Sequence, residues 1–151
     1  MIQRKQTLYL ILSAVLMTLM VFLDSAKVFT MADGVYSFTS LGYSDVTGTL
    51  VVPMWLLAVL NVLLVLFSFF TIFLFKNRIL QMRFTMLGLL LKFGFIVLAY
   101  VLMTNFKPEG YVGMAFTPWA ALPFLAIILD YLAHRGIAID ERKVRFMDRL
   151  R

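Results

Sequence analysis

The sequence predicts an all-α integral membrane protein: four transmembrane helices, a small extracytoplasmic cap of short β-strands and a cytoplasmic amphipathic C-terminal helix, in a single domain over residues 1–151. Three observations carry this. Hydrophobic residues make up 62% of the chain and charged residues only 15%, against about 25% charged in an average soluble domain. Four runs almost free of charge are each long enough to supply the roughly 20 apolar residues that cross a hydrocarbon core. The basic residues gather on segments that would share one side of a bilayer.

The first run, residues 6–23 ("QTLYLILSAVLMTLMVFL"), carries no charge between Lys5 and Asp24 and predicts a helix over about 7–24. Its Arg4-Lys5 flank resembles that of a signal peptide. The apolar stretch is longer than the usual 7 to 15 residues, about, and no A-x-A-like site follows, so it reads as an uncleaved anchor. Residues 46–75 predict a second helix over about 50–75, with Pro53 near its start. Residues 84–106, interrupted only by Lys92, predict a third over about 84–104. The fourth, over about 117–134, opens on Thr117-Pro118, a cap followed by a proline at the first helical position. Pro123 is expected to kink it, since proline removes a backbone hydrogen bond and crowds the carbonyl of Trp119.

Two connections, residues 25–49 and 105–116, form the outer loops, and "GVYSFTSLGYSDVTG" in the first alternates between glycines as one or two short strands do. The second, "NFKPEGYVGMAF", supplies a further strand or lies across it. A cap closing the outer end of the helices is the plain reading, and a ligand-binding platform is the alternative.

Orientation follows from counting Lys and Arg. Arg4, Lys5, Lys76, Arg78, Arg83, Arg135, Arg142, Lys143, Arg145, Arg149 and Arg151 fall on one side, against Lys27 and Lys107 on the other. Both termini are therefore expected in the cytoplasm, and the basic balance is a matter of topology. Nucleic acid binding is not needed to explain it.

The chain has no cysteine and one histidine, His134, so thiolate chemistry is unavailable. No nucleophile elbow, zincin motif, P-loop or dinucleotide fingerprint occurs. The expectation is no enzyme, no cofactor and no metal site, although a fold could still bring Asp24, Asp33 and Asp45 together.

Ionisable groups inside spans are the first functional candidates, because a charge at mid-membrane costs about 2.5–3.5 kcal/mol. Lys92 and Asp130 are the two. Helical side chains lean toward their own N-terminus. In oppositely running helices that brings both groups toward a common depth, which predicts an ion pair across helices three and four. The alternative has Lys92 snorkelling to headgroups. Asn61, near the middle of helix two, is expected to bond across helices. Gly88 and Gly94 permit close approach near Lys92, and Ser13, Thr18, Ala120, Ala121 and Ala126 are small residues suited to helix contacts.

From Asp140 the tail, residues 135–151, can start a helix of its own, with Gly136 allowing a turn after helix four. Val144, Phe146, Met147 and Leu150 then share an apolar face. The basic surface formed by Arg4, Lys5, Arg78, Arg83, Arg142, Lys143, Arg145, Arg149 and Arg151 is expected to meet lipid headgroups or a protein partner.

The start "MIQRKQTLYL" and the end "AHRGIAIDERKVRFMDRLR", with four spans between, resemble a small bacterial integral-membrane family catalogued as domain of unknown function 4293. Gln3, Arg4, Gln6 and Thr7 at one end, and Asp140, Glu141, Val144, Asp148, Arg149, Leu150 and Arg151 at the other, carry the resemblance. It implies the four-span topology and supplies no activity. The resulting expectation is a multi-pass protein of the bacterial inner membrane, a non-enzymatic scaffold or accessory subunit with the lipid bilayer, and another membrane or cytosolic protein, as partners. The alternative is an oligomeric transporter or channel for small solutes or ions that uses Lys92, Asp130 and Asn61.

Overall fold

A computed structural model describes residues 3–31, 34–105 and 107–149. Its helices are α1 (Gln3–Phe22), α2 (Trp55–Phe73), α3 (Arg78–Asn105) and α4 (Leu122–Arg149). Four strands fill the α1–α2 connection: β1 (Ala26–Thr30), β2 (Val35–Thr39), β3 (Gly42–Ser44) and β4 (Leu50–Pro53). The fifth, β5 (Tyr111–Phe116), lies between α3 and α4, so every strand sits at one end of the helices. Four segments, Lys5–Phe22, Trp55–Lys76, Arg78–Asn105 and Pro118–Lys143, are long and apolar enough to cross a membrane.

Each helix buries one narrow stripe. On α3 it is Gln81, Thr85, Gly88, Lys92, Phe95, Ala99 and Met103, recurring every three or four residues as a single helical face does. On α2 it is Leu57, Ala58, Asn61, Leu64, Ser68 and Thr71. Helix α1 packs on α2 and α4, and α3 on the same two. Large apolar residues such as Leu63, Leu66, Phe70, Val97 and Ile128 point outward.

The sheet is antiparallel in the order β4-β3-β2-β1-β5. Ala26 stands between Phe38 and Phe116, and Val28 between Tyr36 and Met114. Ala26, Val28, Tyr36, Phe38 and Tyr43 are buried, with the Phe38 and Tyr43 rings 4.9 Å apart. The Tyr43 hydroxyl donates to the Met103 carbonyl at 3.2 Å, tying the sheet to the end of α3. The tight β2–β3 turn needs glycine at 42: φ is +138°, and a Cβ would lie 2.1 Å from the Val52 carbonyl oxygen.

Several boundaries differ from the sequence expectations. Helices α1 and α3 begin earlier, at Gln3 and Arg78, because basic residues at a span's end continue a helix without difficulty. Residues 50–53 are strand rather than the start of α2. Their run of Leu-Val-Val suits an edge strand, and Pro53, which has no N–H to donate, ends it. Pro123 produces no kink inside a helix. The 3₁₀ turn Pro118–Ala121 precedes α4, which places Pro123 in its first turn, where a missing N–H costs little.

The tail is also corrected. Helix α4 runs unbroken through Gly136 to Arg149, so no separate tail helix follows a turn. Gly136 serves contact instead of flexibility, since a Cβ there would lie 2.9 Å from Cγ of Gln6.

Candidate functional site

The centre of the helical region is a polar knot to which all four helices contribute. Lys92 of α3 and Asp130 of α4 are 1% and 2% exposed, with Nζ 2.5 Å from Oδ2 of the carboxylate. Lys92 Nζ also donates to Ser13 Oγ of α1 at 2.8 Å and to Ser68 Oγ of α2 at 3.0 Å. Each hydroxyl in turn donates a hydrogen bond to a carbonyl, Ser13 to Ala126 and Ser68 to Leu64. An ammonium has three donors, and all three are used. This is the condition under which a buried charge is tolerated: an opposite charge in contact and the remaining protons satisfied. Gly88 keeps the site compact, with the Phe67 ring 3.3 Å from where its Cβ would be and Asp130 Oδ2 4.0 Å away.

Nearer the sheet, Asn61 Nδ2 donates to Ser40 Oγ at 2.8 Å, and Ser40 donates to the Met20 carbonyl. Asn61 thus reaches a loop residue and, through it, α1. Among the described residues, the second carboxylate oxygen of Asp130 and the amide oxygen of Asn61 are buried without a donor.

At the opposite end Gln6 donates its amide to Asp140, both buried, across the α1–α4 contact where Gly136 makes room. Gln81 donates to the Thr71 carbonyl, and His134 meets the Met82 carbonyl at 3.2 Å. Residues from the two ends of the chain therefore meet in space.

The remaining sequence candidates lie elsewhere. Lys5, Arg83, Arg142 and Lys143 are exposed and Arg78 is half-buried. Phe146 is 65% exposed. The readings placed on the side chains of Arg4, Val144, Arg145, Met147 and Arg149, and on Leu150 and Arg151, fall outside the described residues. Gly94 brings no neighbour close, with nothing within 4 Å of its Cβ position. Thr18 bonds within its own helix, to Ala14. Asp33 also lies outside the described residues, and among those described no three His, Asp or Glu side chains gather as metal ligands do.

Ser13, Ser40, Ser68, Gln6, Gln81 and Asp140 are the site residues that sequence reasoning passed over in these roles. Spacing holds a signal for one of them: Ser68 lies seven residues after Asn61, hence on the same face of α2. The family model for Domain of unknown function (DUF4293) matches residues 2–150, nearly the whole chain. The chain belongs to the DUF4293 family. The match spans the helices, the sheet and both ends, so the central knot and the Gln6–Asp140 junction of this DUF4293 chain both lie within the family domain. No curated protein and no solved structure matches it.

Proposed function

We propose that the chain is a four-helix bundle of the bacterial inner membrane, with both termini cytoplasmic and the sheet outside, acting as a non-enzymatic scaffold or accessory subunit. One observation carries the reading. Every donor of the buried Lys92 is consumed in joining the four helices, so the central charge is structural glue. The exposed basic residues Lys5, Arg83, Arg142 and Lys143, at the end opposite the sheet, are left to meet headgroups or a partner. The outward apolar residues support insertion, since lipid rather than water is the solvent that such a surface suits.

Two measurements test this. The chain contains no cysteine, so Thr47→Cys and Lys143→Cys can each be labelled without background. A membrane-impermeant maleimide added to intact spheroplasts should label only Thr47→Cys. Cross-linking with mass spectrometry should then identify a partner contacting the cytoplasmic face, and truncation after Glu141, which keeps Asp140 for Gln6, should lose it. Unchanged partner recovery by the truncated chain would sink the docking role.

The transporter alternative draws on the two buried oxygens without donors, Asp130 Oδ1 and Asn61 Oδ1. Against it, among the described residues, the cavities beside Ala99, Arg78, Lys27 and Gln6 are not lined by Lys92, Asp130 or Asn61. Solute flux into reconstituted vesicles that disappears in Lys92→Leu/Asp130→Leu would favour it.

A further inference from the structure

Between α3 and α4, under the sheet, lies a cavity of about 470 Å³. That volume is within the range of roughly 300–1,000 Å³ typical of small-ligand sites. Phe95, Ala99 and Met103 line it along α3, a run of about 12 Å at 1.5 Å per residue. Phe38 and Phe116 of the sheet close one end. The 3₁₀ turn at Pro118 sets the start of α4 aside from α3, and the small Ala99, Ala120 and Ala121 leave the space unfilled. The rim residues Tyr100, Phe116 and Phe124 are exposed, so the slot is continuous with the apolar outer surface of α3 and α4.

The walls offer almost nothing to a polar ligand. Three lining residues carry hydroxyls: Ser25 is turned to Met20 Sδ, Thr117 donates to the Asp24 carbonyl, and Tyr100 stands at the exposed rim. A ligand placing its own polar groups inside would leave them unpaired, at a cost that apolar contact does not recover. A hydrocarbon chain is what fits. Thr117 and Pro118 are shared with a second cavity of about 380 Å³, whose walls include Lys27 and Asp24. A cation and an anion on the walls of one cavity, next to an apolar slot, complement a headgroup that carries a phosphate and an ammonium.

From this arrangement we propose that the α3–α4 slot binds one acyl chain of a zwitterionic phospholipid, phosphatidylethanolamine in type, with its headgroup over Lys27 and Asp24. The proposal rests on the membrane reading above. The phosphate meets Lys27, the ammonium meets Asp24, and the second chain lies on the outer face of Phe124.

The test uses the full chain reconstituted in vesicles with phosphatidylethanolamine bearing a diazirine at the end of one acyl chain. Photolabelling should concentrate on the α3 segment 95–103, compete with unlabelled phosphatidylethanolamine, and exceed labelling of the exposed α2 face 62–70. Ala99→Phe should reduce it by about fivefold, a factor of the size that roughly one buried methylene sets. Ala121→Phe, at an exposed rim position, should do the same should Ala99→Phe fail to fold. Lys27→Ala should weaken competition by the phospholipid. Even labelling of α2 and α3, or indifference to both slot variants, overturns the proposal. So does a diazirine fatty acid that labels the slot equally well with phosphatidylethanolamine unable to displace it, since the occupant is then a free acid. A chain that fails to float with the vesicles shows instead that the membrane reading itself has failed.

Discussion

The sheet and the helices divide polar from apolar residues by different rules. Along β1 and β2, Ala26, Val28, Tyr36 and Phe38 turn inward while Lys27 and Ser37 turn out or lie half-buried, the alternation of a sheet with one wet face. Along the helices the buried stripes mix apolar Leu57, Leu64, Phe95 and Ala126 with polar Ser13, Asn61, Ser68, Gln81, Thr85, Lys92 and Asp130, while Leu63, Phe70, Val97 and Ile128 turn out. The hydrophobic effect can hold the first arrangement together, because burial removes apolar area from water. With the helices in lipid, as proposed, it cannot hold the second, because a Leu gains nothing by leaving a hydrocarbon surface. Hydrogen bonds and close packing must do that instead. On that proposal one chain uses two different sources of cohesion, joined where Tyr43 meets Met103 and Asn61 meets Ser40.

The strongest way to break this comparison is to remove half of the central pair. Lys92→Leu leaves Asp130 buried without its cation, and such a change costs about 3–5 kcal/mol. The detergent-solubilised protein should lose most of its stability against heat. Lys92→Leu/Asp130→Leu should recover much of that loss, since removing both charges removes the desolvation penalty as well. A double variant as unstable as the single one would show that the knot does more than balance charge.

Next in size is the apolar core under the sheet. Phe38 is 1% exposed and packs on Tyr43, so Phe38→Ala should cost about 3 kcal/mol. Phe70, half exposed on the outer face of α2, provides the control. Phe70→Ala should change the midpoint of thermal unfolding far less in a lipid environment. Equal losses at the two positions would erase the proposed distinction between a water-driven and a lipid-facing region.

How much of this was legible depended on which signal each region carries. The four helices long and apolar enough to be spans could be read because charge is absent over lengths that few other structures require. The meeting of Lys92 and Asp130 could be read because a charge in such a span needs a partner. The β4 strand was hidden, since Leu50–Pro53 continues an uncharged run and apolar content alone does not separate a strand from a helix. Gly136 misled for a related reason: glycine can serve a turn or a close approach, and the deciding neighbour, Gln6, is distant in sequence. Ser13 and Ser68 were hidden because one hydroxyl in a span is ordinary; only their convergence on one ammonium makes them a site.

A smaller effect probes the joint between the regions. Burial raises the Tyr43 phenol above its ordinary value of 10.0, and the nearby Tyr111 adds to this. A group whose folded value is raised contributes stability that is present in full below its unfolded value and is lost as pH climbs beyond it. Unfolding midpoints should therefore fall more steeply above pH about 10 for the natural chain than for Tyr43→Phe. At neutral pH Tyr43→Phe should cost about 1 kcal/mol, the usual worth of one hydrogen bond. Parallel pH profiles for the two proteins would mean that Tyr43 is not the titrating link.

The smallest change separates the faces of one helix. Gly94 lies on the outer side of α3 with nothing within 4 Å of a new Cβ, whereas Gly88 lies on the buried stripe with Phe67 at 3.3 Å. Phe67 is not free to yield easily, because its ring stacks on Phe84, which in turn packs on Phe70. Both substitutions to alanine gain the helix preference of about 0.8–1 kcal/mol, but only Gly94→Ala keeps it. Gly94→Ala should raise the unfolding midpoint and Gly88→Ala should give a smaller gain or a loss. If the order were reversed, the outer face of α3 would be packed against something rather than bathed in lipid, and the contrast between sheet and helices would have to be redrawn around that contact.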